Sequence, residues 1–237
     1  MKTRTVTIIP TFNEPGKIER VLGRFVDGIS DEIVIVDDGS DPPIERTLSG
    51  RGATILRHDR NRGVGAAIRT GLEYGAKNGF DIAVVMAGNG KDDPREIPKL
   101  LEPLKADQAD YVAGSLFLPG GRSERLPLAR FIAIKVYSWL YSRLVGTRVT
   151  DMTNGFRAYW LSLLKDSRID LGQSWLDRYE LEYYLFHKVL SLGYRVVEVP
   201  VSKIYPENSR NYTKVKPGLD WWRIIRPIVF LTLRIKQ

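Results

Sequence analysis

Two short β-branched runs constrain this chain most: Val6–Glu14, VTIIPTFNE, and Ile33–Ser40, IVIVDDGS. Both begin apolar and stop abruptly at polar residues. An apolar run of about four to eight residues reads as a buried parallel strand whose carboxyl end opens onto a loop. In open α/β sheets, ligands bind in the crevice outside those ends. Asp37 and Asp38 are therefore expected at the mouth of a site, with Asn13 and Glu14 beside them. Asp-Asp-Gly-Ser equally suits a plain turn, because turn and ligand chemistry use the same residue types.

Downstream segments repeat the strand–helix alternation. Pro15–Asp27 carries Ile18, Val21, Leu22 and Phe25 at helical spacing, and Asp41-Pro42-Pro43 is a breaker. Thr54–Arg57 reads as a third strand. Asp59–Gly71 then opens a helix whose small residues would let a backbone approach a diphosphate closely. It is not the dinucleotide fingerprint, because Gly63-Val64-Gly65 runs on into Ala66-Ala67-Ile68 and follows the third strand rather than the first. Asp81–Met86 is a fourth strand. Pro94 suits the first turn of a helix running to about Leu104, with Asp93 as N-cap. Ala109–Ser115 is a fifth strand. Such alternation predicts a mostly parallel sheet with helices on both faces.

The chain of 237 residues has no Cys, which excludes disulfides and thiolate chemistry. His58 and His187 are too few for a His-based metal site and read as structural. A net charge of +8 favours anionic partners. The basic residues are scattered and no helix-turn-helix or RNP-type motif occurs, so nucleic acid is not expected among them. No signal peptide is visible, and no apolar run reaches the ~18 residues that span a bilayer. The expected location is cytoplasmic, at most peripheral to the cytoplasmic face of a membrane.

Pro10-Thr11-Phe12-Asn13-Glu14, Val36-Asp37-Asp38-Gly39-Ser40, Asn61–Ala67 and Gly114-Ser115 fall in one order and spacing. So do the later Asn154-Gly155-Phe156-Arg157-Ala158, Tyr179-Glu180-Leu181-Glu182, and Val199-Pro200-Val201 with Tyr212-Thr213-Lys214. In these motifs the chain resembles family 2 glycosyltransferases, and in the later ones their polyprenyl-phosphate branch, the dolichyl-phosphate mannose synthases. The resemblance implies an α/β GT-A fold over residues 1–218, a Rossmann-like, mostly parallel sheet flanked by helices, with an amphipathic C-terminal helix over 219–237. It implies an inverting hexosyltransferase that moves sugar from a nucleotide sugar, of GDP-mannose or UDP-glucose type, to a polyprenyl or dolichyl phosphate. Pro10, Phe12, Glu14, Asp37 and Asp38 match positions that hold base and ribose, and Asn13, Val36, Gly63, Gly65 and Asn89 join them in the nucleotide pocket. Carboxylates suit that task as acceptors for base N–H and ribose hydroxyl groups.

The departure is at the metal. The family carries Asp-x-Asp after strand four, holding Mg²⁺ or Mn²⁺ against the diphosphate. Ala87 and Asn89 stand there in this chain, and Lys91 follows where relatives carry a neutral polar side chain. Three readings stay open: Lys91 supplies the positive charge, Asp92 or Asp93 reaches a metal together with Asn89, or the chain is a silent nucleotide-sugar-binding module. A second departure is Leu116, where relatives often have Arg. Arg122 and Arg125 on the following loop are then the candidate phosphate ligands, or else solvated loop charges.

Leu128–Val145 reads as a helix apolar over most of its circumference, with Lys135, Ser138 and Ser142 as a narrow polar stripe. Leu219–Gln237 is a second candidate for a membrane interface, with Trp221 and Trp222, with Arg223, Arg226 and Arg234 on one face, and with Pro227 bending it. An ordinary core-capping helix fits the same pattern. Between the two helices lie the catalytic candidates Asp151, Arg157 and Glu180, with Glu182 on another helix face from Glu180. Arg157, Arg210 and Lys214 are candidate acceptor-phosphate ligands, the last two on a lid-like stretch from Pro206 to Pro217. A phosphate acceptor is already anionic and requires no strong base, whereas a sugar hydroxyl requires a carboxylate. A chain without membrane spans also leaves room for a separate membrane-protein partner.

Overall fold

The computed structural model describes residues 2–48, 52–205, 219–233 and 235–236. Seven strands form the main sheet: β1 (Thr5–Thr11), β2 (Glu32–Asp37), β3 (Thr54–Arg57), β4 (Ile82–Val85), β5 (Tyr111–Ser115), β7 (Arg157–Trp160) and β8 (Val196–Pro200). Their order is β3-β2-β1-β4-β7-β5-β8, and all pairings are parallel except those of β7, which runs antiparallel between β4 and β5. A small parallel pair, β6 (Arg122–Glu124) with β9 (Ser202–Ile204), sits beyond the strand ends.

The helices are α1 (Pro15–Leu22), α2 (Glu45–Leu48), α3 (Val64–Lys77), α4 (Ile97–Lys105), α5 (Leu128–Val145), α6 (Glu180–Ser191) and α7 (Leu219–Thr232). Both sheet faces are covered, which explains why the strands are apolar without alternation. Val6, Ile8, Val34 and Val36 pack with Ala67, Ile68 and Leu72 of α3 and with α6. Ile9, Ile35, Ile82 and Val84 pack with Ile18 and Val21 of α1 and with Leu100, Leu101 and Leu104 of α4. At Gly71 a methyl group would overlap Ile8, so α3 lies closer to β1 than any other residue there would permit.

The structure departs from the sequence reading in three places. Helix α1 stops at Leu22, not Asp27, with Gly23 as its C-cap. Arg157–Trp160 is a strand, not loop: Ala158 faces one core, Tyr159 the other, and Tyr159 stacks on Tyr111 at 5.0 Å between ring centroids. Helix α7 turns its arginines inward, Arg226 pairing with Glu180 of α6 at 2.5 Å and Arg223 approaching the same carboxylate at 3.9 Å. Those charges therefore dock α7 on α6 rather than lining a membrane face. Arg234 and the side chain of Trp221 lie outside the described residues.

Helix α5 leaves much of its apolar surface outside. The two serines of its polar stripe face the protein, while Lys135 is exposed: Ser138 is buried and accepts from Met152 N–H at 3.0 Å, and Ser142 Oγ bonds both the N–H and the C=O of Val149. Leu128, Phe131, Ile132, Val136, Trp139, Leu140 and Leu144 face outward. Ile134 and Tyr141 are buried on the same side as these serines, and the apolar residues of the opposite side are left in the open.

Candidate active site

The strand ends of β1, β2 and β3 build one wall of the crevice. Asp37 is fully buried; its Oδ1 accepts from Ser40 N–H at 2.9 Å and its Oδ2 from Arg57 at 3.0 Å. Asp38 Oδ1 faces His58 Nδ1 at 2.7 Å and accepts from Arg62 N–H at 2.8 Å, and Oδ2 accepts from Gly63 N–H at 2.8 Å. Both carboxylates, placed at the mouth by the sequence reading, are already committed to holding the loops that shape it. Asn13 has positive φ, receives Asp41 N–H on its side-chain oxygen at 2.9 Å and donates its own N–H to Ser40 Oγ at 2.8 Å. Glu14 pairs with Lys17. Phe12 and Pro10 are half-buried on the same wall.

Three residues expected in this pocket have close protein neighbours of their own. The Val36 side chain lies in the sheet core, fully buried, and is not pocket lining. Gly63 and Gly65 are small enough for protein to pack directly on their Cα positions. A methyl group at either would overlap the backbone around Leu176–Arg178, and the N-terminus of α3 donates Ala66 N–H to Asp177 C=O at 2.9 Å. His58, lodged between Asp38 and Thr70, and His187, beside Tyr141, act as packed polar links.

The end of β4 carries the altered metal motif. Ala87 offers no side-chain oxygen, and Asn89 Oδ1 accepts the Lys91 N–H at 3.1 Å. Asp92 is fully buried, with Oδ2 accepting from Ala87 N–H at 3.3 Å and Oδ1 3.2 Å from Lys203 Nζ. Asp93 caps the 3₁₀ turn Pro94–Glu96 and is gripped by Arg95 at 2.6 Å. Among the described residues no group of three or more His, Cys, Asp or Glu side chains could hold a metal ion. A hard divalent cation takes several oxygen ligands, and the oxygens here are turned to N–H groups and ammonium. This donor set does not fit Mg²⁺ or Mn²⁺.

Cations gather at the same spot. Lys91 Nζ lies 5.0 Å from the centre of the Tyr205 ring and the Arg130 guanidinium 5.8 Å from it. Burial, then Arg130 and Lys203, pull the Lys91 ammonium down to a pKa of about 8, with Asp92 opposing. Lys203 moves the other way. Burial disfavours its charge, but Asp92, Tyr205 and Asp151 outweigh that and hold its pKa above the usual lysine value. It also donates to Asn154 Oδ1 at 2.6 Å. Lys203, Arg130 and Tyr205 were missed from sequence. The signal was the alternation Val201-Ser202-Lys203-Ile204-Tyr205, whose odd positions turn inward while Ile204 is exposed.

The remaining candidates divide. Asp151 is buried; Oδ2 accepts Leu116 N–H at 3.3 Å, Oδ1 accepts Thr153 N–H at 3.2 Å, and burial raises its pKa against the pull of Lys203. Arg157 is corrected as a phosphate ligand. Its guanidinium is buried and donates to Asn154 C=O, Met152 C=O, Glu182 C=O and Tyr111 OH at 2.7–3.0 Å. Glu180 is corrected as a catalytic group, because it is the anchor for α7. Glu182 instead faces the loop: a methyl group at Gly155 would meet its Oε1 at 2.8 Å. Its Oε1 has no hydrogen-bond partner among the described residues, and burial raises its pKa despite Arg157 and Lys203. Arg125 Nη1 reaches Tyr205 C=O at 3.4 Å, beside the cation cluster, whereas Arg122 is exposed on β6. Arg210 and Lys214, with the lid-like stretch, lie outside the described residues.

A doubly covered, mostly parallel sheet with its polar groups gathered at the strand ends defines an α/β protein of the GT-A type. The chain belongs to glycosyl transferase family 2, whose family model matches residues 6–168. It is 32% identical to an undecaprenyl-phosphate mannosyltransferase of Micrococcus luteus, over 91% of this chain and 89% of that one. It is also 32% identical to a polyprenol monophosphomannose synthase of Mycolicibacterium smegmatis, over 84% and 77%. A third relative is a UDP-N-acetylglucosamine–dolichyl-phosphate N-acetylglucosaminyltransferase of Methanococcus voltae, 30% identical over 85% and 86%. Among solved structures, glucosyl-3-phosphoglycerate synthase of Mycobacterium tuberculosis, in complex with Mn²⁺, UDP-glucose and phosphoglyceric acid, superposes with a TM-score of 0.71. That match is 19% identical and covers 99% of this chain and 81% of that one; the likeness is one of fold.

Proposed function

We propose that this chain transfers a hexose from a nucleotide sugar to a polyprenyl phosphate held at a membrane surface. Its relatives' activities support the reaction class, and α5 is the observation that carries the lipid acceptor. Seven large apolar side chains of α5 face outward, among them Leu128 at 72%, Trp139 at 57% and Leu140 at 53% exposure. Apolar exposure on that scale marks an interaction surface. It begins where Arg130 of the same helix meets Tyr205, so an isoprenoid tail along α5 would leave its phosphate beside Arg130 and Arg125. At its other end a groove of about 560 Å³ is lined by Lys135, Arg143, Arg148 and Trp139, charges suited to anionic headgroups. No helix among the described residues is long and apolar enough to cross a membrane.

The reaction is one in-line displacement. An oxygen of the acceptor phosphate attacks the anomeric carbon, the bond to the donor's β-phosphate oxygen breaks, and its electron pair leaves with the nucleoside diphosphate. No proton need be removed from the nucleophile. The test is turnover of purified protein with GDP-mannose and UDP-glucose, offered a short polyprenyl phosphate or a free sugar acceptor. Lipid-linked sugar is the expected product, and transfer to hydroxyl acceptors alone overturns the lipid reading.

The interface makes a separate prediction. Replacing Trp139 and Leu140 together by Glu is expected to weaken binding to phosphatidylglycerol vesicles at least about tenfold, roughly the worth of one large apolar side chain. Thermal stability should barely change, since both side chains are mostly outside the core. Unchanged vesicle binding would remove α5 from the membrane.

A further inference from the structure

The metal site and the charge cluster at the end of β4 point to one conclusion, which rests on the sugar-transfer reading above. Departure of a nucleoside diphosphate builds negative charge on its β-phosphate, and that charge must be met by a cation. The place from which a metal would act lies after β4, and its oxygen ligands are missing or engaged: Ala87 has none, Asn89 holds the Lys91 backbone, and Asp92 is locked by Lys203. We propose that the Lys91 ammonium, seated over Tyr205 beside Arg130, takes the place of the divalent cation, and that this chain moves sugar without metal.

The division of labour between the two lysines follows from their partners. Lys203 is fixed between Asp92 and Asn154, so its charge is spent on building the site and on keeping Asp92 from a metal. Lys91 is nearly buried and shares its surroundings with two further cations, an arrangement that an incoming diphosphate would relieve. Lysine serves here as a compact point charge. During transfer the donor's C–O bond breaks, its electron pair stays on the diphosphate, and Lys91 meets that charge while keeping its proton. Lys91 is thus a catalytic residue in contact with the leaving group. Lys203 is a positioning residue.

The test is binding of GDP and of UDP by calorimetry, and turnover as above, in EDTA and in Mn²⁺. Wild-type protein is expected to bind one of the nucleotides equally well in both and to turn over in EDTA. Lys91→Gln, checked for an unchanged melting temperature, is expected to weaken that binding at least about tenfold and to slow turnover on the order of 100-fold. The triple variant Ala87→Asp, Asn89→Asp, Lys91→Gln is expected to regain binding only with Mn²⁺. Wild-type binding or turnover abolished by EDTA and restored by Mn²⁺ overturns the lysine assignment while leaving sugar transfer standing, as does a Lys91→Gln protein that behaves like wild type in EDTA. Failure to bind either nucleotide, with or without metal, overturns both readings.

Discussion

Replacing Arg157 by Met is expected to lower stability by about 3–5 kcal/mol, the cost of stripping one member from a buried charged network. For a domain of this size that corresponds to a melting temperature lower on the order of 10 °C. The reason is geometric. Arg157 opens β7, opposite Val85 of β4 and Ala113 of β5, at the point where the sheet changes direction. Its guanidinium ties together the carbonyls of Met152, Asn154 and Glu182 and the hydroxyl of Tyr111, and it stacks over Phe186 at 5.0 Å. Methionine fills similar volume but leaves those acceptors buried without donors. Lysine restores the charge yet cannot reach all of them, so Arg157→Lys should recover only part of the loss. Differential scanning calorimetry on the three proteins checks this. A Met variant that melts like wild type but loses turnover would return Arg157 to the substrate.

The sheet was legible because its strands are short, β-branched and closed by polar residues, a pattern that only burial on both faces produces. Strand β7 was not. Arg-Ala-Tyr-Trp begins with a charge and has no β-branched residue, and it becomes a strand only because β4 and β5 flank it. The functional residues split along the same line. Asp37, Asp38 and Asn13 announce themselves by position at strand ends, but sequence does not say whether a carboxylate meets ligand or loop. Here the backbone N–H groups of Ser40, Arg62 and Gly63 reach them first. Glu180 and Glu182 were correctly separated by helix geometry, but which one faces the site depended on α7, whose arginines claim Glu180. The exposed apolar face of α5 was hidden for a similar reason. Periodicity marks the polar stripe, and only the loop at Val149–Met152 shows that its two serines point inward.

The second large effect is expected at Asp38. Asp38→Ala should cost about 3 kcal/mol, since it leaves buried N–H groups without acceptors at roughly 1–3 kcal/mol for each group. Arg62 and Gly63 lose the carboxylate that receives their amides, and His58 loses the partner facing Nδ1. Asp38→Asn should be little better, because one oxygen becomes an NH₂ group directed at a donor. The consequence reaches beyond stability. The loop from Asp59 to Gly63 connects β3 to α3, and the β2 end that Asp38 occupies is the crevice wall. Nucleotide binding should therefore weaken together with stability. Asp59→Ala, an exposed change in the same loop, should move neither. Urea unfolding and nucleotide titration on the same samples separate the outcomes. If Asp38→Ala weakens nucleotide binding while its unfolding midpoint stays put, Asp38 touches the ligand directly. If the two fall in step, the carboxylate acts by holding the wall in place.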